Sequence, residues 1–103
     1  MEGEKALKIE KRTDWINAQE KIQSIEIGDS KTRHYYSYTY LVDEHGGFRP
    51  LVRWDNFNNN PHVDVFESDA VRTYSTDEKG YGEVQKIVRL FRLNLPQMDL
   101  KDL

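Results

Sequence analysis

The segment His34-Tyr35-Tyr36-Ser37-Tyr38-Thr39-Tyr40-Leu41-Val42 most constrains what this chain can fold into. Tyrosine, threonine and valine dominate it, and these residues suit a pleated surface. Alternation sets His34, Tyr36, Tyr38, Tyr40 and Val42 on one face and Tyr35, Ser37, Thr39 and Leu41 on the other, so a strand is predicted over 33–42. Asp43-Glu44-His45-Gly46-Gly47 then reads as a hairpin loop whose paired glycines supply positive φ. Phe48 to Trp54 is the returning strand. Pro50 has no amide proton and belongs on an edge or beside a bulge.

The remaining elements are shorter. Lys21 to Ile27 alternates Ile25 and Ile27 against Ser24 and Glu26, and Gly28-Asp29-Ser30 is a turn. His62 to Phe66 reads as a short strand, and residues 69–74 fit either a short strand or an extended connection. Val84, Ile87, Val88, Phe91 and Leu95 recur at helical spacing, which predicts a helix from about Gly80 to Asn94. Thr76 or Asp77 could cap it, and Pro96 would stop it. Residues 1–12 carry many charges and few apolar positions, so they are expected to form a mobile or weakly helical arm. Thr13 and Asp14 suit a cap for a short turn through Trp15-Ile16. Hairpins followed by a helix specify an α+β class: an antiparallel sheet of about four strands with the C-terminal helix on one face, one domain over 13–103.

Composition narrows the function. A chain of 103 residues fits one domain with a modest core. It has no cysteine, which excludes disulfides and thiolate metal sites. No apolar run approaches the ~20 residues of a membrane span. The start, Met1-Glu2-Gly3-Glu4-Lys5, does not read as a secretory signal, so cytoplasmic residence is expected. The net charge is −3, carried by residues 54–103, whereas residues 1–53 are balanced. That distribution gives no general field for nucleic acid, and any RNA contact would need a local patch.

Chemistry concentrates between Leu51 and Phe66. Arg53 and Asp55 flank Trp54 and so project from one face of a strand. Asn56, Asn58, Asn59 and Asn60 each donate and accept hydrogen bonds. His62 is the nearby group that titrates around neutrality. An arginine and a histidine together suit phosphodiester cleavage, one stabilising the anionic intermediate and the other moving a proton. Arg53, Asp55 and His62 are therefore the candidate catalytic residues, with Asn56, Asn58 and Asn60 as substrate contacts. The same residues fit a structural loop, in which asparagines hold a turn and Arg53–Asp55 is a surface pair worth under ~1 kcal/mol. His62, Asp64 and Asp55 could also gather around a metal, but transition-metal sites usually recruit more histidine or thiolate, so neither metal nor cofactor is expected. Tyr36, Tyr38 and Tyr40 could stack bases; with few leucines available, a core role is favoured. Lys86, Arg89 and Arg92 read as a solvated helix face.

The order strand, Arg53-Trp54-Asp55-Asn56, spacer, Pro61-His62, then Phe66 resembles the TumE-type toxins of prokaryotic toxin–antitoxin systems. The resemblance spans about residues 33–95 in its elements and is sharpest over 51–66, with Arg53, Asp55, Asn56 and His62 as the matching positions. It implies a growth-inhibiting, RNA-directed activity and a cognate antitoxin. Asp64 stands where the family pattern has a second histidine, and Glu67-Ser68-Asp69 where it has a histidine–lysine cluster. A non-catalytic protein-interaction domain is the alternative.

Overall fold

The computed structural model describes residues 6–94. Six antiparallel strands run β1 (Lys8–Asn17), β2 (Glu20–Gly28), β3 (Arg33–Glu44), β4 (Gly47–Asp55), β5 (His62–Phe66) and β6 (Val71–Ser75), followed by helix α1 (Tyr81–Asn94). The strands lie in the sheet in chain order. The class is α+β, and the sheet is larger than the four strands expected.

The alternation read from the tyrosine segment determines which face is covered. Cross-strand partners share a face, and the register aligns Ile22, Tyr40, Val52 and Val65 in one row and Ser24, Tyr38, Trp54 and Val63 in the next. These residues, with Tyr36, form the buried face, and Val84, Val88 and Phe91 of α1 close over it. Val84 and Val88 are at most 1% exposed, and each such burial contributes about 1.5–3 kcal/mol. The tyrosine rings are core, with their hydroxyls satisfied at its rim. Tyr38 donates to Glu26 and accepts from Arg33, Tyr40 donates to Glu20, and Tyr36 accepts from the Lys79 amide. They are not available to stack bases. The opposite face of the sheet carries no second layer among the described residues.

Several local expectations are corrected. Lys8–Asn17 is a strand paired with β2 over most of its length, not a mobile or weakly helical arm or a capped turn; residues 1–5 lie outside the described residues. Period-two alternation is present there, but mostly charged side chains carry it, so it has no apolar signature. The hairpin after β3 turns on His45 (φ 56°) and Gly46 (φ 85°), with Gly47 already in β4, so it uses one glycine rather than a pair. Val71–Ser75 is a strand, which resolves the two readings of 69–74. Neither Thr76 nor Asp77 caps α1. The Gly80 carbonyl accepts from the Val84 amide, and Glu83 reaches back to the Gly80 amide, as in a capping box. Pro50 sits beside the β3–β4 register shift, where a missing donor does no harm. The expected stop at Pro96 lies outside the described residues.

Candidate functional site

Register also assembles the site. Arg53 of β4 pairs with Asp64 of β5, which pairs with Thr73 of β6. One row over, Asp55 pairs with His62. These residues alternate with the core row and therefore project from the uncovered face. Arg53, Asp55 and His62 converge there.

Arg53 Nη2 donates to Asp64 Oδ2 at 2.8 Å and Nε to the same oxygen at 3.3 Å. Nε also lies 3.4 Å from Asp55 Oδ2. His62 Nε2 lies 3.1 Å from Asp55 Oδ1 and 3.7 Å from Asp64 Oδ2. On the other side of the ring, His62 Nδ1 lies 2.7 Å from the Asn60 carbonyl oxygen. A carbonyl only accepts, so Nδ1 carries a proton. Nε2 then faces the carboxylates either with a second proton or with a lone pair. Asp55 Oδ1 further accepts the Phe57 amide at 3.0 Å, and Asp64 Oδ1 accepts Thr73 Oγ1 at 2.7 Å.

The carboxylates are buried and the guanidinium is not: the Asp55 and Asp64 side chains are 8% and 7% exposed, His62 15% and Arg53 40%. Burial pushes the Asp64 carboxyl up, but hydrogen bonds from Thr73 and Arg53 and the charges of Arg53 and His62 outweigh it and hold it below the ordinary carboxylate value. Two carboxylates face one guanidinium. The cluster is therefore net negative unless the imidazole is charged.

The asparagines behave differently from one another. Asn56 is 6% exposed. Its Oδ1 accepts the Tyr36 amide at 2.9 Å and its Nδ2 donates to the His34 carbonyl at 3.3 Å. It fastens the loop to β3 and presents nothing to a substrate. Asn58 is exposed in the short turn Phe57–Asn59, where it and Asn59 adopt positive φ. Asn60 contributes its backbone carbonyl, through the bond to His62. Of the expected substrate contacts, Asn56 is thus withdrawn into the fold, whereas Asn58 and Asn60 are exposed. Asp64 and Thr73 complete the cluster. Asp64 is visible in sequence from its two-residue spacing to His62, whereas Thr73 is placed only by the β5–β6 pairing.

Comparisons with protein-family models, with curated proteins and with solved structures find no match.

Proposed function

We propose that the protein is a small toxin-like protein directed at RNA in the cytoplasm and held in check by an antitoxin, with the Arg53–Asp55–His62–Asp64 cluster as its working site. The convergence of Arg53, Asp55 and His62 on the uncovered sheet face carries this reading. Arg53 is the most exposed member and is placed to receive a phosphate oxygen, its fork set by Asp64. The Asp55–His62 pair beside it is the proton source and sink. Asp64, standing where the resembled family has a histidine, orients the arginine.

The test is RNA cleavage and growth inhibition by the purified or expressed full chain. Arg53→Ala and His62→Ala are expected to abolish both; unchanged cleavage and growth arrest in either variant would overturn the reading.

A specific observation favours a non-catalytic interaction domain as the second reading. Ile9 and Trp15 of β1 are 63% and 57% exposed, and both alternate onto the uncovered face. Recovery of a stoichiometric protein partner whose binding is lost in Trp15→Ala, together with no RNA binding at low salt, would favour it.

A further inference from the structure

Two buried carboxylates beside one imidazole nitrogen repel a phosphodiester, and the single guanidinium is already shared between them. A cation would reverse that balance. We propose that Asp55 Oδ1, His62 Nε2 and Asp64 Oδ2 bind one divalent transition-metal ion of the zinc or manganese kind. The proposal rests on the RNA-directed reading only for what occupies the remaining coordination positions, and in the ion-bound form it makes His62 a ligand in place of the proton carrier proposed above.

Three observations carry it. The donor atoms of these residues all lie within 4.8 Å of one another. More tellingly, Nε2 stands 3.1 Å from Asp55 Oδ1 and 3.7 Å from Asp64 Oδ2, where two donors each about 2.1 Å from a common metal stand about 3.0–3.4 Å apart in octahedral or tetrahedral geometry. Small side-chain adjustments suffice. Finally, the tautomer is fixed from outside the cluster. Nδ1–H donates to the Asn60 carbonyl, so Nε2 is the nitrogen left to bind, the outer-shell arrangement typical of metal-bound histidine.

The supporting groups are consistent with that role. Thr73 holds Asp64 through Oδ1, leaving Oδ2 toward the imidazole. Phe57 holds Asp55 through its amide. Arg53 is the opposing charge. Its side chain is 40% exposed and its guanidinium carbon lies 5.2 Å from the centre of the Phe66 ring. It can keep one bond to Asp64 as an outer neighbour while the rest of the fork turns to solvent. The ion would take the cluster from net negative to net positive. Three protein donors leave positions open for water or for a phosphate oxygen.

The test uses the metal alone with the full, tag-free chain. Cobalt(II) titration followed by visible absorption, and zinc titration by calorimetry, are expected to give one site. His62→Ala and Asp64→Asn should each weaken binding by at least about tenfold. Thr73→Val, which leaves every donor in place, should weaken it less. His34→Ala and His45→Ala remove the other two histidines and should leave binding unchanged. No binding at millimolar metal, or binding that survives His62→Ala, would overturn the proposal. RNA plays no part in this measurement, so failure of the toxin reading leaves its outcome standing. Conversely, RNA cleavage that persists in excess chelator would separate the activity from the metal.

Discussion

At the scale of single residues, Asn56 and Asp64 have the sharpest consequences. Asn56 is the side-chain clamp between the site loop and the middle of β3. Removing it leaves the buried Tyr36 amide without its acceptor, and an unsatisfied buried donor costs about 1–3 kcal/mol. Asn56→Ala should therefore lower stability by that amount in chemical denaturation, while an Asn60→Ala control, exposed at φ −122° and bonded to His62 only through its backbone carbonyl, should stay within about 0.5 kcal/mol. Equal effects would refute the clamp. Asp64→Asn should act through Arg53 instead: the guanidinium loses its charged anchor, so its Nε resonance in NMR should lose its distinct environment while the fold persists. The sequence makes Arg53, Asp55 and His62 legible because strand alternation and nearness along the chain suffice to bring them together. Asn56 is misread as a substrate contact for a physical reason. An asparagine serves equally well in a solvated loop or in a buried one, and composition does not separate the two.

At the scale of elements, the legible parts are those with apolar periodicity. The tyrosine strand, the His62–Phe66 strand and the helix through Val84, Val88 and Phe91 all bury one apolar stripe. β1 buries almost nothing; its residues are exposed except for a half-buried Asp14, so no hydrophobic pattern announces it. It is held by the β2 ladder and by polar ties across to the helix, where Tyr81 donates to Asp14 and Arg12 lies 4.7 Å from the centre of the Tyr81 ring. The hairpin between β3 and β4 offers a direct test. His45 adopts positive φ, which glycine tolerates without a Cβ penalty. His45→Gly is expected to stabilise the fold slightly, by up to about 1 kcal/mol in thermal or chemical melts; a clear loss would refute strain at that position. The helix–sheet contact through Glu20 is pH-dependent. The Arg92 hydrogen bond is the main reason the Glu20 carboxyl is held down to about 2, with burial opposing and Tyr40 and Asn17 assisting. A carboxyl whose folded value lies below its unfolded one stabilises the fold above the unfolded value, and that stability is lost as pH falls toward the folded one. The window runs from about 4.5 down to about 2. The bond is near the surface and solvent-screened, so its share is under about 1 kcal/mol. Glu20→Gln should lower the melting temperature at neutral pH and converge with the native chain at pH about 2. Curves that stay parallel across that range would refute the assignment.

At the scale of the whole molecule, one helix must cover six strands among the described residues, and it does not cover them all. A 14-residue helix is about 21 Å long, against a molecule extending 53 × 29 × 25 Å. The radius of gyration, 15.0 Å, exceeds the about 13 Å typical of a compact 100-residue domain. Alternation in the sequence announces that each strand has two faces. Which of them a layer covers is decided by where α1 docks, through contacts far apart in the chain, and this is why the setting of Arg53 and Asp55 on the uncovered face had to come from the structure. The same geometry predicts uneven stability. Tyr36, Tyr38 and Trp54 are fully buried and Val52 nearly so, which puts β3 and β4 at the centre of the core. β1 and β6 lie at the two edges with one neighbour each and mostly exposed side chains. Native-state hydrogen exchange should therefore find the slowest amides in β3 and β4, exchanging only on global unfolding, and faster exchange by local opening in β1 and β6. Trp15 is the main apolar tie of β1 on the uncovered face, edge-on to Phe48 with ring centres 5.5 Å apart and with Lys21 Nζ 4.9 Å from its own centre. Trp15→Ala should speed exchange in β1 while leaving the slowest β3 and β4 amides close to their native rates. If all strands slowed and quickened together, the sheet would be a single cooperative unit and β1 an integral part of its core.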